Sequence, residues 1–141
     1  MKKGIVLYIL LCAISLITSA QTQNIVLKDT IGDFVFDALV TEMGTVPQKN
    51  SNLVKYFKYI GSDSVIIFRA WTGDPHYICE YPALQILKKD SIYSFAVCFW
   101  HQNRQGQFHK IMGFDFSNGQ RVSLVFKGFV DTVYINPLET K

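Results

Sequence analysis

The chain has 141 residues, 49% hydrophobic and 14% aromatic, with 14 Lys and Arg against 11 Asp and Glu and a formal net charge of +3. This length allows one domain with one real core and is too short for two. So small a positive excess also lacks the basic footprint of a nucleic-acid binder.

Residues 1–20 have the order of a secretory signal: Lys2 and Lys3, an apolar run from Ile5 to Ile17, then Thr18, Ser19 and Ala20. The run falls short of the roughly 20 apolar residues a membrane-crossing helix needs, so no membrane span is expected once the signal is removed. A lipid anchor on Cys12 is disfavoured by the bulky Leu11 before it. Cleavage after Ala20 would make residues 21–141 the mature domain, starting at Gln21. It would remove two lysines and no acid, so the net charge falls to about +1.

From Asn24 onward, short runs rich in Val, Ile, Phe and Tyr are broken every ten or so residues by Gly, Asn, Asp or Pro, the cadence of an all-β sandwich or barrel. Phe34, Phe36, Ala38 and Val40 alternate at period two. Phe57 and Tyr59 do the same and lead through Gly61 into a strand from Val65 to Trp71. The stretch from Tyr81 to Lys89 is the one place where a short helical turn fits. The strongest strand spans about 91–101, with Tyr93, Phe95, Val97 and Phe99 on one face and Ile92, Ala96, Cys98 and Trp100 on the other. Apolar residues on both faces predict a central strand covered on both sides. A turn over Asn103, Arg104, Gln105 and Gly106 then predicts a hairpin with the strand carrying Phe108, Met112, Phe114 and Phe116, in which Lys110 is the exception. Asn118-Gly119 predicts a two-residue type I′ turn and a second hairpin from about Phe114 to Phe126. Gly128 breaks that run, and Phe129, Val133 and Ile135 predict a last strand ending at Pro137.

The block from about Leu53 to Asp131 resembles a bacterial immunoglobulin-like family, domain of unknown function fifteen seventy-three, frequent in Bacteroidetes and related in shape to major-sperm-protein and cilia-associated sandwiches. The resemblance is carried by Phe57, Tyr59 and Gly61, the strand Val65 to Phe68, the cysteine-bearing loop ending in Tyr81-Pro82, the strand through Phe99, the Gly106 to Ile111 segment and the closing strand Leu124 to Gly128. It implies an immunoglobulin-like β-sandwich of about seven to nine antiparallel strands. Members commonly carry a Cys-Gly-Cys cluster after the apolar strand, whereas this chain has only Cys79 there, and the family implies no activity.

With Cys12 in the leader, Cys79 and Cys98 remain. In an oxidising compartment they either form one disulfide, which would stabilise the fold by roughly 3 kcal/mol in the chain-entropy model, or stay as buried free thiols. His76 and Cys79, with His101 or His109, have a spacing that zinc permits but does not require. A Cys79 nucleophile would need a neighbouring cation, and Asp74 and Glu80 push the other way. No nucleophile elbow, phosphate loop or His-Glu-x-x-His pair is present.

The segment Trp71 to Pro82 gathers Trp71, His76, Tyr77 and Tyr81 around Gly73 and Pro75, and loops on a rigid sandwich are where binding residues collect. These residues point to an exported, periplasmic or secreted, non-enzymatic interaction module of the envelope. It is expected to need no metal or cofactor, to bind another envelope protein or a glycan, and to act through a sheet edge or this segment. The alternative is a small secreted metal-binding protein or hydrolase using His76, Cys79 and His101.

Overall fold

The computed structural model describes residues 24–101 and 104–131. The signal over residues 1–20, Asn103 of the expected turn, and Val133, Ile135 and Pro137 of the expected last strand lie outside them. The described residues form nine strands and no helix: β1 (Asp29–Ile31), β2 (Phe34–Phe36), β3 (Val40–Pro47), β4 (Ser51–Tyr59), β5 (Ile67–Thr72), β6 (Tyr77–Glu80), β7 (Ile92–Phe99), β8 (Gly106–Phe116) and β9 (Arg121–Asp131). They make two packed sheets, one ordered β1-β2-β4-β7-β6 and the other β3-β9-β8-β5. The expected immunoglobulin-like sandwich is the observed architecture, with one departure from its antiparallel character: β3 pairs β9 in parallel.

Period-two alternation places one aromatic set from each sheet in the interlayer. Phe34 stacks on Phe116 with centroids 3.9 Å apart, Phe95 meets Phe114 edge-on at 5.0 Å, and Phe99 meets Phe126 at 5.3 Å. Each pair joins a strand of one sheet to a strand of the other, and such pairs contribute about 1 kcal/mol beyond their buried area. All six rings are fully buried.

Several local expectations are corrected by the course of the backbone. The alternation from Phe34 to Val40 is not one strand, because the chain changes sheets after Phe36. The Asp37 carboxylate accepts from the Ala38 and Tyr56 backbone N–H groups and pairs with the buried Lys55 ammonium at 2.8 Å. β7 is central, between β4 and β6, and for that reason it forms no hairpin with β8: both its edges are taken, and the chain crosses to the other sheet. Nor is β7 covered on both sides. Phe95, Val97 and Phe99 are buried, while Ile92 is 51% and Trp100 41% exposed.

The β8–β9 hairpin forms as expected but by another turn. The Gly119 N–H bonds the Phe116 carbonyl, the Phe116 N–H bonds the Gln120 carbonyl, and within the turn only Gly119 has positive φ (84°). That is a three-residue loop in which a type I turn is followed by a left-handed glycine. Gly128 does not end its strand, which runs on to Asp131. A Cβ there would lie 2.7 Å from Phe108 Cζ and 2.8 Å from the Gly44 carbonyl oxygen, so the residue is small to admit that ring and the neighbouring strand. The stretch after Tyr81 holds no helix: it turns at Leu84, where φ is 57°, and bridges Val65 through Leu87 and Ile67 through Ala83.

Candidate functional site

The expected recognition segment is not a single loop. It contains the end of β5, the crossover 73–76 between the sheets, and all of β6. Tyr77 is buried, stacks on Phe99 at 5.7 Å, accepts a hydrogen bond from the Gly73 N–H at 3.0 Å and donates to the Ile111 carbonyl. Burial raises its hydroxyl pKa. It pegs the crossover to β8. The Tyr81 ring leans on Phe114 at 5.8 Å. Trp71 stands opposite Gly113 on the outward side of the four-stranded sheet, under the Arg121 guanidinium at 5.7 Å from its ring centroid.

His76 goes elsewhere. Asp74 Oδ1 accepts from the His76 backbone N–H at 2.7 Å and lies 2.5 Å from His76 Nδ1. Its Oδ2 accepts from Lys110 Nζ and faces Arg104 Nη1 at 3.8 Å. Burial raises the Asp74 carboxyl, but the hydrogen bonds from Lys110 and His76 outweigh it and hold the group well below the usual carboxylate range. The acid is therefore charged at neutral pH and fixes His76 and Lys110 in position.

Beside this cluster a cavity of about 290 Å³ opens at one end of the sandwich. Its polar lining is His76, His101, Arg104, Gln105, Gln107 and Lys110, and Phe99, Trp100, Phe108 and Val130 form its apolar wall. His101 is only 4% exposed, with Nε2 3.2 Å from Ser51 Oγ and its ring parallel to Phe99. Burial first, then the cations Lys110 and Arg104, push its pKa down, so the imidazole is neutral at pH 7.

The fold thus brings together two of the candidate residues, His76 and His101, and separates them from the third. Cys79 points inward against the core, and burial first, then Glu80, pushes its thiol up to about 12. At neutral pH it is neither thiolate nor nucleophile. Cys79 and Cys98 are both free. Their neighbouring strands pair Cys79 with Val97 and Ile78 with Cys98, which puts the two thiols on opposite faces of the sheet. Among the described residues no group of three or more His, Cys, Asp or Glu side chains is placed to hold a metal. Arg104, Gln105 and Gln107 were not singled out from sequence. The available signal was Lys110, a charge interrupting an apolar series.

Two outer faces complete the surface. On the four-stranded sheet Asp115 is buried beneath two arginines: Arg69 reaches Oδ2 through Nε at 2.8 Å and Nη2 at 2.5 Å, and Arg121 reaches Oδ1 through Nε at 2.6 Å. Hydrogen bonds from Arg121 lower its pKa most, and those from Arg69 add to them. The same sheet leaves Phe68, Ile111 and Phe129 41–54% exposed, and the five-stranded sheet presents Val54, Ile78, Ile92 and Trp100, each 41–51% exposed.

No protein-family model matches the chain, and no curated protein matches it in sequence. Among solved structures it is similar to a Porphyromonas gingivalis protein of unknown function, with TM-score 0.59 and 9% identity over 68% of this chain and 46% of that one. The chain therefore spans under half the length of that protein. It is also similar to PapD-like domain 7 of human CEP192, with TM-score 0.50 and 11% identity over 82% of this chain and 97% of that domain. A C. elegans MSP family member follows at TM-score 0.48 and 11% identity, over 72% of this chain and all of that one. At these identities the likeness is one of fold.

Proposed function

We propose that this chain is an exported, non-enzymatic interaction module of the cell envelope, akin to domain of unknown function fifteen seventy-three, which holds a partner protein or glycan at the end of its sandwich. The observation that carries this reading is the cavity between His76, His101, Arg104 and Lys110, built from the β5–β6 and β7–β8 connections and β8 at one end of the sandwich. Its groups suit holding rather than turnover. Asp74 is occupied by Lys110 and His76, His101 is tied to Ser51, and the nearest cysteine candidate is a protonated thiol.

Export is tested by the intact mass of the protein recovered outside the cytoplasm, which is expected to begin at Gln21. Binding is tested by passing solubilised envelope protein and polysaccharide fractions over the immobilised protein and over its Arg104→Glu variant. Arg104 is a partly exposed rim residue, so the variant is expected to fold and to lose retention. Equal retention by both proteins would remove the cavity from the reading. A protein found inside the cell with its first twenty residues intact would remove export.

A further inference from the structure

The charge balance of the end cavity indicates what class of ligand it takes. Among the described residues its lining holds two permanent cations, Arg104 and Lys110, two histidines and no carboxylate. The neighbouring Asp74, bonded to Lys110 and 3.8 Å from Arg104, offsets one of the two positive charges. One positive charge is left over beside a cavity whose low-dielectric wall of Phe99 and Phe108 strengthens its field. An anion entering there meets a preformed site.

The size and the remaining lining narrow the choice. At roughly 30 Å³ per water, the cavity corresponds to about ten waters, the room for one small cyclic molecule. The Gln105 and Gln107 amides each offer donors and an acceptor, and His76 adds a ring nitrogen. Hydroxyl groups need both kinds of partner, which the tail of a fatty or aromatic acid would leave unused and desolvated. The Phe108 wall suits the apolar face of a sugar ring. We propose that the cavity binds an acidic sugar residue, its carboxylate between Arg104 and Lys110 and its hydroxyls on Gln105, Gln107 and His76. This deepens the reading of the site as a binding cavity and rests on it.

The test is an amide-resolved NMR titration of the whole exported chain with glucuronate, glucose and N-acetylglycine, repeated on Arg104→Gln. Glucuronate is expected to shift the signals of residues 104–110 saturably, glucose to bind on the order of tenfold more weakly, and Arg104→Gln to weaken glucuronate on the order of tenfold, the worth of one charge-assisted hydrogen bond. The His101 imidazole is expected to titrate at higher pH with glucuronate bound, because the anion offsets the neighbouring cations. Equal binding of glucose and glucuronate would remove the carboxylate from the proposal while leaving a binding cavity. Tighter binding of N-acetylglycine would replace the sugar with a peptide C-terminus. Shifts that never saturate, or that Arg104→Gln leaves unchanged, would overturn the site itself.

Discussion

The two sheets share one aromatic interior and both leave large apolar side chains half-exposed, Phe68, Ile111 and Phe129 on the four-stranded sheet among them, yet one outer face also carries an ion cluster. On the four-stranded sheet a buried carboxylate is roofed by two arginines, one of which also covers Trp71. On the five-stranded sheet Val54, Ile78, Ile92 and Trp100 stand half-exposed with no such roof. Long arginine side chains can shield apolar surface while keeping their charge wet, so Trp71 is covered where Phe68, Ile111 and Phe129 of the same sheet stay exposed. The contrast shows that inward alternation was satisfied in both sheets, and that the outward positions differ for a reason other than core packing.

The largest expected effect removes the floor that both faces share. Phe114→Ala deletes the ring that meets Phe95, Tyr81 and Phe116 and is expected to cost about 4 kcal/mol in urea denaturation. A loss below about 1 kcal/mol would mean that the sheets do not depend on this layer. Next, Asp115→Asn leaves Arg69 and Arg121 without their acid and is expected to cost about 2 kcal/mol, with little change if the roof is only a surface ion pair.

The pH dependence sharpens the same comparison. His101 has a folded pKa below the ordinary 6.5, so its contribution is complete above pH 6.5 and is lost as pH falls through the folded value, where the unfolded chain binds the proton more readily. Asp115 is likewise depressed below 3.8, so its contribution is present above that pH and lost beneath it. Denaturation midpoints are expected to fall in two steps on acidification. Asp115→Asn should diminish the lower step and spare the upper. The smallest effect is expected on the open face, where Ile92→Lys should change stability by no more than about 0.5 kcal/mol. A loss of 2 kcal/mol there would show that Ile92 belongs to the core.

Much of the fold was readable from the residues because alternation reports which side of a strand is buried. Phe95, Val97 and Phe99, and Phe114 and Phe116, fall where their spacing puts them. Pairing was harder, since it depends on what else lies beside a strand. β7 looks ready to fold back on β8, and only the presence of β4 and β6 on its two edges prevents it. Asp37 carries no pattern announcing that it turns the chain between sheets, and Gly128 reads as a breaker until the Phe108 ring is seen above it. The site was legible in part. His76 and His101 invited attention as titratable groups, whereas their grouping with Lys110 and Arg104 arises from a crossover and a sheet change distant in sequence. The aromatic Tyr77, attractive as a contact residue, proved to be an internal peg.

The parallel pairing of β3 with β9 sets Val40 beside Val125 and Pro47 beside Asp131. A chain synthesised from its N-terminus therefore presents β3 long before its partner arrives, and until then β3 is a strand with both edges bare. β9 is thus the element that joins β3 to the rest of its sheet. A chain halted before Arg121 would carry most of its aromatic layer and still leave β3 unpaired, an adhesive ribbon of the kind that seeds aggregation.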